Sequence, residues 1–230
     1  MAPLAILYDV HGNLPALEAV LADARGADAQ RFVLGGDYAL FGPFGAECLD
    51  ALRALPQATW IRGNVDRWAG NPGDLPDDDL LPRAVADCRE ALGAELADEL
   101  GKLPEQVVID GARYCHASPL SDMRSFLPDP GDDDEEMLAG ASEPRVVFGH
   151  THLQFRRTGP GGVELLNPGS VGLPLDGDAR AAYALVHDDG TIEHRRVEYD
   201  RDAAIGALQD RFGDVGWAQR SVRRLQTSRP

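Results

Sequence analysis

The sequence predicts an α/β protein with two sheets packed face to face and helices outside. Three observations predict it. Short apolar runs alternate with amphipathic helical stretches over the first hundred or so residues, as in βαβ units with a largely parallel sheet. The last third changes to short strands divided by Gly/Asp/Pro turns, which supplies further strands. Five of the strand ends carry Asp, Asn or His, and carboxyl ends of strands are where open α/β sheets bind ligands.

Residues 4–8 form a compact apolar run suited to a buried strand, ending in Asp9-Val10-His11-Gly12-Asn13. Pro15 suits the first turn of a helix, and Leu17, Val20, Leu21 and Ala24 follow at helical spacing. Residues 31–34 are the second strand, ending at Gly35-Gly36-Asp37. A helix follows Pro43, with Cys48, Leu49, Leu52 and Leu55 on one side. Residues 59–62 are the third strand, ending at Gly63-Asn64-Val65-Asp66. Residues 71–79 read as a loop, and residues 80–100 as mostly helical with Gly93 as a weak point. Residues 106–109 and 113–116 form a hairpin across Asp110-Gly111. An acidic loop over residues 128–136 leads into a short helix. Its run Asp132-Asp133-Asp134-Glu135-Glu136 suits either calcium or, more simply, a solvated helix N-terminus. Residues 146–148 are a strand ending at Gly149-His150-Thr151-His152. Strands follow over 154–158, 163–166, 181–186 and 192–197, then a helix over 202–212. With no internal repeat and no linker, residues 1–230 read as one domain, whose Arg-rich tail, 215–230, is expected to fray.

The balance of 22 basic and 38 acidic residues gives a net charge of -16. Such a surface repels a phosphate backbone, which disfavours extended nucleic-acid binding. It leaves room for a small phosphorylated substrate, because a pair of bound cations reverses the local field. The three cysteines, Cys48, Cys88 and Cys115, are odd in number and read as reduced thiols. Cys115 adjoins His116, but neighbouring side chains on a strand point to opposite faces. The chain starts with no basic, signal-like segment, and no apolar run approaches the ~18 residues of a membrane span, so a cytoplasmic location is expected. Oligomeric state is not legible.

Asp9, His11, Asp37, Asn64, His116, His150 and His152 together suit a two-metal site, and four of the six histidines fall among them. Hydrolytic transition-metal sites mix imidazole with carboxylate. Two ions roughly 3.5–4 Å apart need a bridging ligand, and Asp37, after two glycines at a strand end, is the best candidate. If the chain stays extended, Asp9 and His11 face one way, and so do His150 and His152. His187 and His194 lack glycine neighbours and acidic partners in sequence and read as structural or surface residues.

These blocks, with Gly36-Asp37, His116-Ala117-Ser118-Pro119 and Asn167-Pro168-Gly169-Ser170-Val171-Gly172, resemble the calcineurin-like metallophosphoesterases, whose pattern runs D-x-H, G-D, G-N-[HC]-D, H, G-H-x-H. The resemblance is closest to a small bacterial and archaeal phosphodiesterase branch and spans residues 4 to about 198. It implies a four-layer α/β/β/α sandwich of two mixed sheets. It implies two divalent transition metal ions (Mn, Fe, Ni, Co or Zn, with Mn favoured). One would take Asp9, His11, Asp37 and His152; the other would take Asp37, Asn64, His116 and His150. The activity implied is phosphoester hydrolysis by in-line attack of a metal-bridging hydroxide, on phosphodiesters before phosphomonoesters. Asn64, His11 and Asp66 are the catalytic candidates, with Asp66 orienting His11 or relaying a proton. Arg62, Arg67 and Arg124 lie near the motif loops and are candidates for clamping a phosphate, with solvated surface arginines as the alternative.

Two positions depart from the pattern. Val65 stands where many members have a His acting as general acid, which favours substrates with good leaving groups. Leu40 stands where many have an Asp that supports the ligands without binding metal, so altered support is expected there. The competing functions are a weak or silent metal-binding scaffold for protein partners, as one retromer subunit of this fold is, and a protein phosphatase. A nuclease is disfavoured by the charge.

Overall fold

β1 (Leu4–Leu7), β2 (Arg31–Leu34) and β3 (Ala58–Trp60) run parallel, joined by α1 (Leu14–Gly26) and α2 (Gly45–Arg53). The structure, a computed structural model, describes residues 2–230. β1 is buried on both faces, and its side chains divide by the two-residue period of a strand. Ala5 and Leu7 face α1 and α2, while Leu4 and Ile6 face the second sheet.

After β3 come α3 (Asn64–Gly70), α4 (Leu81–Leu92) and α5 (Ala94–Leu100), the last two broken at Gly93, whose φ is 79°. β4 (Gln106–Ile109) and β5 (Ala112–Cys115) form the hairpin across Asp110-Gly111, both with positive φ as a type I′ turn requires. The short α6 (Asp134–Met137) precedes β6 (Arg145–Val147), β7 (Gln154–Thr158), β8 (Glu164–Pro168), β9 (Ala181–Val186) and β10 (Ile192–Val197). α7 (Arg201–Phe212) and α8 (Gly216–Thr227) close the chain.

The strand orders are β10-β9-β1-β2-β3 and β4-β5-β6-β8-β7. Read from the residues alone, the sheet was expected to be largely parallel. Each sheet instead mixes parallel pairs with antiparallel ones, because β9 returns beside β1 in the opposite direction and β7 beside β8. The two sheets pack through Ile6, Tyr8, Val33, Tyr114, Val147 and Leu166. The Tyr8 hydroxyl reaches the carbonyls of Cys115 and Val147, tying β1 to the second sheet. Helices cover the outer face of the first sheet; the short α6 and the loop bearing Phe126 cover the second. The result is the four-layer sandwich of two mixed sheets.

Within the Arg-rich tail, residues 216–227 form the helix α8, which buries Trp217, Ala218 and Leu225, and Trp217 Nε1 donates to Asp87 Oδ2 at 2.8 Å. The acidic run at 132–136 opens a short helix, as expected, with Asp134 on Arg157 and with Asp133 and Glu136 on Arg124. Among the described residues no helix is long and apolar enough to cross a membrane.

Candidate metal centre

The loops after β1, β2, β3, β5 and β6 open at one rim, where the carboxyl ends of the two sheets' parallel strands meet. They bring all seven predicted donors together. Asp9, His11, Asp37, Asn64, His116 and His152 are buried and His150 is half-buried. The convergence does not come from extended chain. Asp9, His11, Asp37, His150 and His152 have φ of 55°, 47°, 60°, 66° and 60°, the left-handed region that L-residues avoid. Half-turns there, rather than the strand pleat, aim alternate side chains inward. Such residues cost of order 1–3 kcal/mol each and persist only where the surroundings over-determine them. Here Asp9 N and His11 N donate to the carbonyls of Gly36 and Asp37, and Gly63 fits because a Cβ there would lie 2.0 Å from Asp37 Oδ1.

Three imidazoles are locked through Nδ1. That atom lies 2.9 Å from the Leu40 carbonyl in His11, 2.9 Å from that of Gly35 in His116, and 2.6 Å from that of Leu173 in His152. A carbonyl only accepts, so Nδ1 carries a proton, and Nε2 turns inward with a lone pair whenever the ring is neutral. The main chain of Leu40 thus orients His11, whatever the side chain there. The Nε2 atoms of His11 and His152 face each other at 3.2 Å. Two facing lone pairs repel unless a cation sits near both.

Asp37 Oδ2 lies 3.7 Å from His11 Nε2 and 3.4 Å from His116 Nε2, and so looks toward both sides of the bowl. Asp9 Oδ1 is 3.7 Å from His152 Nε2 and 3.9 Å from His116 Nε2. Asp9 Oδ1 and His116 Nε2 are buried without a hydrogen-bond partner. Asn64 Oδ1 lies 3.0 Å from His150 Nδ1. Two tight groupings emerge, Asp9 with His11 and His152, and Asp9 with Asp37 and His116.

The electrostatics ask for positive charge. Burial raises the Asp9 carboxyl well above its ordinary value, and the charge of Asp37 adds to this. Burial also opposes charge on Asp37, but the imidazoles of His116 and His11 outweigh it and hold that carboxyl low. Burial disfavours a charged His116, yet the carboxylates of Asp37 and Asp9 push it up to about 10. Burial, and for His150 the neighbouring His116, lowers His11, His150 and His152. Orphaned atoms, facing lone pairs and closely spaced carboxylates all fit divalent cations.

The remaining candidates are placed differently from expectation. Asp66 makes no hydrogen bond to His11. Its oxygens accept from the backbone N–H groups of Gly63, Asp37 and Tyr38, which makes it a strut for the Asp37 loop and the start of α3. Burial and the charge of Asp37 raise it to about 7. Arg62 is spent on Glu105 and the Gly101 carbonyl, Arg67 on both oxygens of Asp122, and Arg124 on Glu136 and Asp133. Arg62 and Arg67 line a hollow of about 260 Å³ beside His116. Asn167 donates to the Gly149 carbonyl and the Thr151 hydroxyl, and Ser170 to the Asp9 carbonyl, bracing the rim from below. One residue that sequence reasoning missed also lines the metal-facing hollow: Arg224 of α8, far in sequence from every motif.

A protein of Methanocaldococcus jannaschii is 28% identical over 222 residues, covering 86% of this chain and 88% of its own. A metallophosphoesterase from Sphaerobacter thermophilus superposes with a TM-score of 0.80 at 26% identity, covering 98% of both chains. A hypothetical protein from Pyrococcus horikoshii superposes with a TM-score of 0.87 at 20% identity over 99% of both, a likeness of fold. The sequence pattern of the calcineurin-like phosphoesterase superfamily domain matches residues 3–191. The chain therefore belongs to the calcineurin-like phosphoesterase superfamily.

Proposed function

We propose that this protein is a phosphodiester hydrolase that works with two divalent metal ions. The observation that carries the reading is the buried pair Asp9 Oδ1 and His116 Nε2, unpartnered and aimed into a bowl with five further donors. Asp9, His11, Asp37 and His152 would hold one ion; Asp37, Asn64, His116 and His150 would hold the other. Asp37 would serve both ions, as the resemblance implies; its Oδ2 looks toward the imidazoles of both sides, as does Oδ1 of Asp9. Bound there, the ions would supply an activated water and neutralise charge on the phosphoryl oxygens. Manganese is the favoured ion, since two carboxylates and an amide carbonyl accept it, while the four imidazoles would take Zn, Fe or Ni as well.

The chain's own residues do the rest. Backbone carbonyls fix the imidazole tautomers, and Asp66 and Ser170 hold the Asp37 and Asp9 loops. Val65 lines the hollow and has no proton to give a leaving group. That absence favours esters of acidic alcohols, and the preference for diesters is the expectation that the resemblance in sequence carries. The three free cysteines support a reducing, cytoplasmic setting.

The test is hydrolysis of bis-p-nitrophenyl phosphate beside p-nitrophenyl phosphate after loading with Mn²⁺, Ni²⁺, Co²⁺ or Zn²⁺. The diester should be cleaved faster. Asn64→Ala and His116→Ala should each lose more than the ~10–100-fold typical of removing a supporting group. A folded protein that binds two ions and turns over neither ester would instead favour the scaffold reading.

A further inference from the structure

The metal-facing hollow, about 230 Å³, has a lining of mixed character. Donor side chains form its floor. Phe41, Trp68, Leu81, Met123 and Leu175 make its walls, with Arg224 reaching in from α8. Arg224 lies outside the span matched by the superfamily pattern. Its Nε is buried with no hydrogen-bond partner, and among the described residues no carboxylate lies within ion-pair distance of it. Arg224 and His11 line the same hollow. Arg62, Arg67 and Arg124 each have a carboxylate partner, which Arg224 lacks, although the Nε of Arg62 is likewise buried without a hydrogen bond. An arginine with no carboxylate partner, its Nε buried beside a bowl of donors, is placed to take an anion. The wall is also unusual, because Met123 is 42% exposed at the rim, an apolar group left uncovered.

We propose that Arg224 is the phosphoryl clamp of this site, and that the apolar wall beside it receives an aromatic or similarly flat apolar ester group. The planar fork of arginine matches two phosphoryl oxygens. An aryl group would pack on Trp68 and Phe41 and cover Met123. The site thus selects phosphate esters with at least one aromatic arm. The proposal takes its reaction from the phosphodiesterase reading, but its binding claim is tested separately.

Phenylphosphonate and methylphosphonate, neither of which can be hydrolysed, are titrated calorimetrically into the Mn²⁺-loaded protein. The wild type should bind the phenyl compound more tightly than the methyl one. Arg224→Ala should weaken both by about 10- to 100-fold, the scale of a charge-assisted hydrogen bond. Arg224→Lys should recover part of the loss, because it restores charge without the fork. Arg223→Ala, an exposed neighbour on α8, should bind as the wild type does and controls for damage to the helix. Wild type that binds neither phosphonate, or Arg224→Ala that binds both within twofold of wild type, overturns the clamp. Equal affinity for phenyl and methyl overturns the aromatic subsite. Loss of binding in Arg224→Ala, from a wild type that hydrolyses no ester with any metal, supports the clamp and sinks the hydrolase reading. Hydrolysis with an unchanged KM in Arg224→Ala does the reverse.

Discussion

Val65 is 2% exposed, packed beside Trp68, and lines the hollow where a leaving group would depart. Val65→His puts a proton donor there. It should speed cleavage of an alkyl or unsubstituted phenyl ester by ~10²-fold or more, the usual scale of general acid help. Bis-p-nitrophenyl phosphate, whose leaving group needs no proton, should change little; equal acceleration of both classes would remove the role given to the missing acid. Gly63 tests the packing of the centre. Gly63→Ala would press a Cβ against Asp37 Oδ1, at 2.0 Å. Elemental analysis should find it depleted of metal while it still unfolds cooperatively, and two retained ions would contradict the fit. That these seven side chains would meet was legible in the sequence, because Asp, Asn and His recur at strand ends, most of them beside glycine. The left-handed φ of five of them was not, since it rests on contacts between distant loops, as where Asp9 and His11 meet the β2 loop and His150 N meets the Asp9 carboxylate. Nor were the arginine partners: Asp122 meets Arg67 from a different loop, and no local pattern announces it.

At the scale of elements, α8 carries more than its composition suggests. Four arginines within residues 215–230 made the stretch look like a fraying tail, while Trp217, Ala218, Ser221 and Leu225 lay at helical spacing among them. Trp217→Ala should cost ~3–5 kcal/mol in urea unfolding, the range for a buried aromatic. A loss below ~1 kcal/mol would mean that α8 is not docked as described. α3 escaped notice for a different reason: it is seven residues long and starts inside the motif at Asn64. Apart from α8, the larger strands and helices were legible from apolar spacing and turn residues.

A second element-scale test concerns α1 and the β9–β10 edge. Asp23 of α1 accepts from Arg195 of β10 and from the Tyr183 hydroxyl of β9. The Arg195 fork, helped by Tyr183 against partial burial, holds the Asp23 carboxyl below its ordinary value. A carboxyl lowered in the folded state stabilises the fold above the unfolded pKa of about 3.9. That contribution is lost as pH falls through the folded value. Asp23→Asn should therefore cost no more than ~1 kcal/mol near neutral pH, given the solvent screening. Its difference from wild type should shrink below about pH 4; a difference that grows on acidification would reverse the assignment.

For the molecule as a whole, the net charge of -16 and the proposed use of the bowl are opposites: an acidic protein surrounds a hollow where, on this proposal, cations and Arg224 would draw an anion. The two-sheet packing was legible because no single sheet uses every strand. The mixed pairing was not, because β1 and β9 come from opposite ends of the chain and no local pattern encodes their meeting. The central claim is that two ions on seven donors make the protein a phosphodiesterase. The most direct test titrates Mn²⁺ into metal-free protein while following bound metal and bis-p-nitrophenyl phosphate hydrolysis together. Hydrolysis should rise with the second ion and level off at two per chain. Full activity with no metal, or two bound ions with no turnover, would contradict it.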